Sequence, residues 1–459
     1  MPSRAVSRPL AILLLSVAVA FGAPPLAPVV PARAQAWAHF DARAATDAWL
    51  ATVPSAARAR SDAYFEGGYW LILWDFLATA AAMLFLLQTR LSARMRDWAE
   101  KLVRWRALQS FVYWIEFTAV AAALLLPMTV YEGYFRERQY GLSNQTFGAW
   151  LKDQLIGFAL VLALGGLTYV GLTAIVRRLR ETWHIWGAGV AIVFVAISAM
   201  TGPVFLAPLF NAYKPLQNAV IKNQILSLAR ANGIPATDVY EMDASKQSKR
   251  VSANVSGFLG TERITLNDNL LNRASSEAIL ATMGHEMGHY VLHHITNSLL
   301  FVFIVIVLLF SALRKAMDYS LARWGRRWEI RDASDTAALP LAALILASIS
   351  FLFIPVGNTF TRTQEYEADI FGLNAARQPD GEAEVDLLLG EYRKLDPSPL
   401  EEFVFFDHPG GRTRIYAAMR WKAENLCLFD PALPCANRPE GTAIQAPNVP
   451  SHPSEKQHR

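Results

Sequence analysis

Residues 284–310 read GHEMGHYVLHHITNSLLFVFIVIVLLF. The stretch holds four of the chain's nine histidines and then becomes wholly apolar. On a helix His285 and His289 share one face with Cβ atoms about 5–6 Å apart, so two imidazole nitrogens can converge on a single zinc ion. Glu286 is one residue round from them, close enough to reach a water on that ion and to move its proton. This is the H-E-x-x-H pattern. Because the pattern runs directly into a membrane-length apolar segment, its chemistry belongs at a membrane boundary.

The rest of the chain supports that setting. Of its 459 residues 53% are hydrophobic, and the mean hydropathy is +0.22, too apolar for an ordinary soluble protein. Six stretches, at about 69–88, 111–130, 155–176, 185–206, 298–313 and 338–357, approach the roughly 20 helical residues that cross a bilayer core. None alternates with period two, so the expected fold is predominantly α and multi-pass, not a barrel. The fifth stretch is short and is expected to be lengthened by the polar helix before it. Asp75 and Glu116 lie inside apolar spans, where ionisable groups face a cavity or reach an interface.

Arginine and lysine concentrate after the first, third and fifth spans, which places those loops together on the cytoplasmic side. The net charge of +4 is therefore a topology signal and implies no nucleic acid. At the N-terminus Arg4 and Arg8 precede LAILLLSVAVAFGA, and Ala34-Gln35-Ala36 offers a small-x-small cleavage site. Residues 1–36 are thus either a signal peptide or a retained anchor. By the same alternation the polar segments 207–297 and 358–436 face outward, while 37–206 and 298–357 form the membrane region. Cys427 and Cys435, eight residues apart in the outer segment, suit a local disulfide. Residues 437–459 are polar and Pro-rich and read as a disordered tail.

Within 207–297 the pattern gives a helix near 217–232 ended by Gly233, strand-like pieces in DVYEMD and RVSANVSGFLGTERITLND with bends at Gly257 and Gly260, and a helix from about Ser275 to Asn297. A catalytic zinc needs a third protein ligand. Leu292 and Ile295 stand where a metzincin would place glycine and histidine, which excludes that class. His293 and His294 are local competitors. The stronger candidates are Glu365 and Asp369 in TRTQEYEADIFG, four residues apart after the last span: one can bind metal while the other fixes a histidine tautomer. Glu367, between them, points elsewhere on that pattern.

Beyond these residues, YGLSNQT at 140–146, PLFNAYKPL at 208–216, SANVSGF at 252–258, HEMGH at 285–289, EYEAD at 365–369 and HPGGRTRI at 408–415 occur in an order that resembles the type I CAAX prenyl protease family, membrane zinc metalloproteases of the gluzincin group. The resemblance implies a ring of seven transmembrane helices around a chamber, the N-terminal apolar run being the seventh, with a zinc domain carrying a small β-sheet. It implies Zn2+ held by His285, His289 and Glu365, support from Asp369, and Glu286 as general base and acid. It further implies oxyanion stabilisation by His408 and Arg414, and an edge strand at Asn254 along which an extended polypeptide, lipid-modified or not, binds. Asn254-Val255-Ser256 departs from the family's usual Asn-Ala-Tyr. A signal-like N-terminus and an outward zinc domain suit a bacterial inner-membrane protein that processes membrane or exported polypeptides on the periplasmic side. The alternative is a zinc-holding membrane scaffold or chaperone. No internal repeat suggests a transporter.

Overall fold

The structure is a computed structural model that describes residues 29–256 and 263–433. The N-terminal apolar run, Gly257, Gly260, Cys435 and the 437–459 tail lie outside the described residues, so the seventh helix and the Cys427–Cys435 bridge remain expectations. All six expected spans fall inside long helices: α1 (Ser55–Gln88), α2 (Arg106–Gln139), α3 (Phe147–Arg178), α4 (Trp183–Leu209) and two described below. The most apolar windows of α4 and of the fifth span have none of their length buried inside the protein. Lipid or a cavity must cover that surface, as in a multi-pass membrane protein.

Loops expected on one side of the membrane do meet. Arg96, whose side chain is 6% exposed, donates to Asp335 at 2.6 Å and to the Glu329 carbonyl at 2.8 Å. Arg331 forms a two-pronged pair with Glu100 at 2.6 and 2.8 Å. The loop after α1 is thereby fastened to the loop after the fifth span, at the end of the molecule opposite the histidines.

The polar domain is built on a four-stranded mixed sheet, β1 (Tyr213–Pro215), β2 (Val239–Met242), β3 (Ala253–Ser256) and β4 (Arg263–Asn267), in the order β1-β2-β4-β3. Strands β2 and β4 are parallel; β3 runs antiparallel to β4 with Asn254 opposite Thr265 and Val255 turned into the core. Helices α5 (Ala219–Ala231) and α6 (Ser276–Val291) cover the sheet, each started by a side-chain cap from Asn218 and Ser275. Ile225, Val239, Ile264, Leu266, Ile279, Met283 and Met287 form their shared core. Met283 and Met287 point one face of α6 into that core. Two residues round, His285 and His289 therefore face away from it.

The helix carrying the histidines is shorter than the sequence pattern indicated. It ends at Val291, and His293 takes a left-handed φ of 58° before α7 (His294–Trp328) begins. A non-glycine residue there breaks the axis, so α6 and the fifth span are separate helices. That span needs no help from α6, since α7 is 35 residues long and continues well past residue 313. The sixth span and the acidic stretch after it form one unbroken helix, α8 (Leu339–Ala376). Shorter helices α9 (Pro379–Leu389) and α10 (Gly411–Glu424) complete the domain.

Residues upstream of the first span dock on this domain. Ala34 is fully buried, its carbonyl accepts from Lys422 Nζ at 2.7 Å, and the helix Ala42–Ala51 packs Trp49 and Leu50 against Ile415, Ala418 and Met419 of α10. Cleavage after Ala36 would remove Ala34 and leave the buried Lys422 short of an acceptor, a loss of about 1.5–3 kcal/mol. Intact-mass measurement of the purified protein is expected to find Ala34 retained, and a chain beginning at Trp37 is expected to melt at lower temperature.

Candidate metal centre

Helices α6 and α8 touch backbone to backbone. A Cβ on Gly372 would lie 2.8 Å from the His285 nitrogen, and one on Gly288 would lie 3.1 Å from the Ala368 Cα. No larger residue fits at either place. This contact brings His285 and His289 to the carboxylates of α8, 84 residues from His285 in the case of Asp369.

His285 Nε2 lies 3.1 Å from His289 Nε2 and 3.2 Å from Glu365 Oε2, and His289 Nε2 lies 3.6 Å from Glu365 Oε1. The donor atoms of the three residues all fall within 4.8 Å of one another. Their protonation can be read from the partners. His285 Nδ1 is 2.8 Å from Asp369 Oδ1; an ionised carboxylate only accepts, so Nδ1 carries the proton and Nε2 is left with a lone pair. His289 Nδ1 lies 3.0 Å from His294 Nδ1, and His294 Nε2 lies 3.2 Å from Glu367 Oε2. By the same reasoning His294 donates to Glu367 and accepts from His289, which leaves His289 Nε2 with a lone pair as well. Glu365 Oε2 is buried and forms no properly directed hydrogen bond despite its close nitrogens. Two imidazole nitrogens and a carboxylate gathered this closely fit a divalent cation.

Glu286 stands beside this group, and its carboxylate makes no hydrogen bond to any described residue. Burial pushes its carboxyl up. His408 also reaches the site, with Nε2 3.1 Å from Glu365 Oε2 and Nδ1 2.8 Å from Asp407 Oδ1. Its loop is held against α8 by Arg362, which donates to the carbonyls of Glu402 and Phe406 at 2.7 and 2.5 Å. Since Nδ1 donates to Asp407, Nε2 becomes a donor to substrate only in the imidazolium form.

The structure does not bring Arg414 to the same place. Its guanidinium is 6% exposed and wholly engaged by Asp369 at 2.8 and 2.6 Å, Glu382 at 3.1 Å and Asp386 at 2.8 Å. Sealed behind Asp369, it has no free face for an oxyanion; it fixes the carboxylate that fixes His285. Burial pushes the Glu382 and Asp386 carboxyls up, and the charge of Arg414 opposes it. His294 and Glu367, read from the sequence as a rival ligand and a bystander, form the corresponding support for His289. The turn at His293 swings His294 back over His289, and no periodic pattern signals such a turn. Asn254 sits on β3 at the sheet edge, exposed, on the strand that packs against α6.

The profile of Peptidase family M48 matches residues 215–422, and that of the CAAX prenyl protease N-terminal region, five membrane helices, matches residues 45–212. Residues 215–422 are thus an M48 peptidase region. Among the chain's relatives, "Uncharacterized metalloprotease YhfN" of Bacillus subtilis is 29% identical over 335 residues, covering 72% of this chain and 78% of that one. "CAAX prenyl protease 1" of Saccharomyces cerevisiae is 28% identical over 309 residues, covering 64% and 68%. The crystal structure of S. mikatae Ste24p superposes with a TM-score of 0.68 at 21% identity, over 80% of this chain and 89% of that one, and so shares the fold. The chain is a membrane metalloprotease.

Two outcomes follow for this M48 site. Arg414→Leu leaves three buried carboxylates without their cation and is expected to destabilise the domain by about 3–5 kcal/mol, read as a lowered melting temperature. His294→Ala frees the His289 ring and is expected to weaken zinc binding by about 10- to 100-fold, measured by competition with a chromogenic chelator.

Proposed function

We propose that this metalloprotease is a zinc enzyme that hydrolyses peptide bonds in membrane-associated or exported polypeptides. The observation that carries the reading is the convergence of His285 Nε2, His289 Nε2 and a Glu365 carboxylate oxygen beside the unpartnered Glu286. A zinc ion held by those three residues supplies a Lewis acid for the scissile carbonyl and acidifies a water. Glu286 takes the proton from the attacking water and delivers it to the leaving amine. Asp369 and His294 hold the two histidines in the tautomers that ligation requires. His408, protonated and braced by Asp407, donates to the developing oxyanion.

The open edge of β3 offers a place for an extended substrate. Backbone hydrogen bonds along it tolerate many side chains, and the strand lies against the helix that carries Glu286. The CAAX prenyl proteases among the relatives bear names that refer to prenylated substrates; here such peptides are one case of a broader class. Arginine-rich loops gathered at the end opposite the site support an outward-facing zinc domain in a bacterial inner membrane.

The test is to purify the wild type and Glu286→Gln in detergent, measure zinc in both, and assay an unfolded reporter polypeptide and a prenylated peptide. Equal zinc with cleavage lowered about 10²- to 10⁴-fold in the variant is expected. Equal cleavage by both proteins would overturn the assignment, and zinc without cleavage in either would favour a metal-holding scaffold.

A further inference from the structure

A cavity of about 540 Å³ adjoins the metal site, and three of its lining residues are Arg136, Arg250 and Arg393. Asp407 lines it too, and through His408 it stands one side chain away from Glu365. Tyr64, Phe65, Tyr69, Tyr392 and Phe405 give it aromatic walls.

The three guanidinium groups are differently placed. Arg250 is paired with Glu137 at 2.9 Å and hydrogen-bonded to the Tyr64 hydroxyl at 2.7 Å. The Arg393 guanidinium makes no hydrogen bond or ion pair with the described residues; its backbone carbonyl accepts from the Ser61 hydroxyl, and its charge adds to that of His408 in holding the Asp407 carboxyl below its usual value against burial. Arg136 is the unusual one. Only 8% exposed, it lies over the Tyr64 ring at 4.1 Å and donates to the Tyr64 carbonyl, and no carboxylate among the described residues pairs with it. Buried arginines are almost never left without an anion, because taking the charge out of water is so unfavourable.

Local structure directs Arg136 into this position. It closes the π-helical turn Tyr131–Arg136 of α2, which shifts its side chain off the regular helical face. Opposite it, α1 presents Gly67 and Gly68, where an added Cβ would sit 3.6 and 3.8 Å from Nη2. The cavity thus sets three guanidinium groups against the carboxylate of Asp407 and, behind Arg250, that of Glu137, while Glu132, one turn before Arg136 on the same helix, acts on it without pairing. An arginine fork in an aromatic-walled recess matches a carboxylate, which it can hold by two parallel hydrogen bonds.

We propose that this cavity is a subsite for a carboxylate of the substrate peptide, with Arg136 as its main anchor and Arg393 at its side. The proposal rests on the proteolytic reading above. Two sources share the chemistry, the free carboxylate at a chain end and an aspartate or glutamate side chain.

The test compares kcat and KM of wild type, Arg136→Gln and Arg393→Gln on one peptide sequence made in three forms: amidated and neutral, with a free C-terminal acid, and amidated with one glutamine replaced by glutamate at successive positions. Zinc content is measured alongside in each protein. Wild type is expected to favour one carboxylate-bearing form over the neutral amide by about 10-fold or more, chiefly in KM, and both variants to narrow that ratio. The favoured form names the source. If Arg136→Gln does not fold, Arg393→Gln, whose side chain is partly exposed and makes no contact of its own, carries the comparison. Equal use of all three forms by wild type, or a preference undiminished in the folded variants, would overturn the subsite while leaving the peptidase intact. Failure of wild type to cleave any form, with zinc bound, would remove the peptidase reading and the subsite with it.

Discussion

Everything at the metal site depends on two helices lying closer than side chains ordinarily permit. Gly288 meets the backbone of Ala368, and Gly372 meets the backbone of His285. A methyl group at either glycine would force α6 and α8 apart by several tenths of an ångström, and the gap between the imidazoles and Glu365 would widen with it. The hydrogen bond from His285 to Asp369 then ties the two helices together across that contact. Since α8 is a single helix from the sixth span to Ala376, the ligand it contributes is anchored on a membrane-spanning rod.

Around that contact, buried charge is used to orient and is largely neutralised in place. Asp369 holds His285, Arg414 holds Asp369, and Glu382 and Asp386 balance Arg414. On the other side Glu367 holds His294, which holds His289. Each ring is fixed through its Nδ1, which leaves its Nε2 turned toward Glu365. Such chains need every member in place, because a carboxylate buried without its partner carries a large desolvation penalty. Arg136 has no such carboxylate partner among the described residues, and it lines the cavity that Asp407 also lines.

The membrane helices position these parts, and α8 carries Glu365 on its extension beyond the sixth span. Their apolar windows are scarcely buried within the protein, and the ion pairs at Arg96 and Arg331 lock the loops at one end. The polar domain then closes the other end through α6, α8 and the N-terminal arm docked at Lys422. Chemistry placed there is reached by polypeptides at the bilayer boundary.

Sequence alone determined what is periodic or compositional. Apolar runs of membrane length, basic loops in alternation, the four-residue spacing of His285 and His289 and that of Glu365 and Asp369 are all local properties, and the helices obeyed them. Tertiary structure decided what depends on distant segments or on single dihedral angles. The left-handed turn at His293 separated α6 from α7 and turned His294 into a support. The packing of α10 behind α8 gave Arg414 to Asp369 and withheld it from substrate. A spacing rule describes which residues share a face, but it is silent on what that face meets; that is fixed only when the core has packed and each buried charge has found its counterpart.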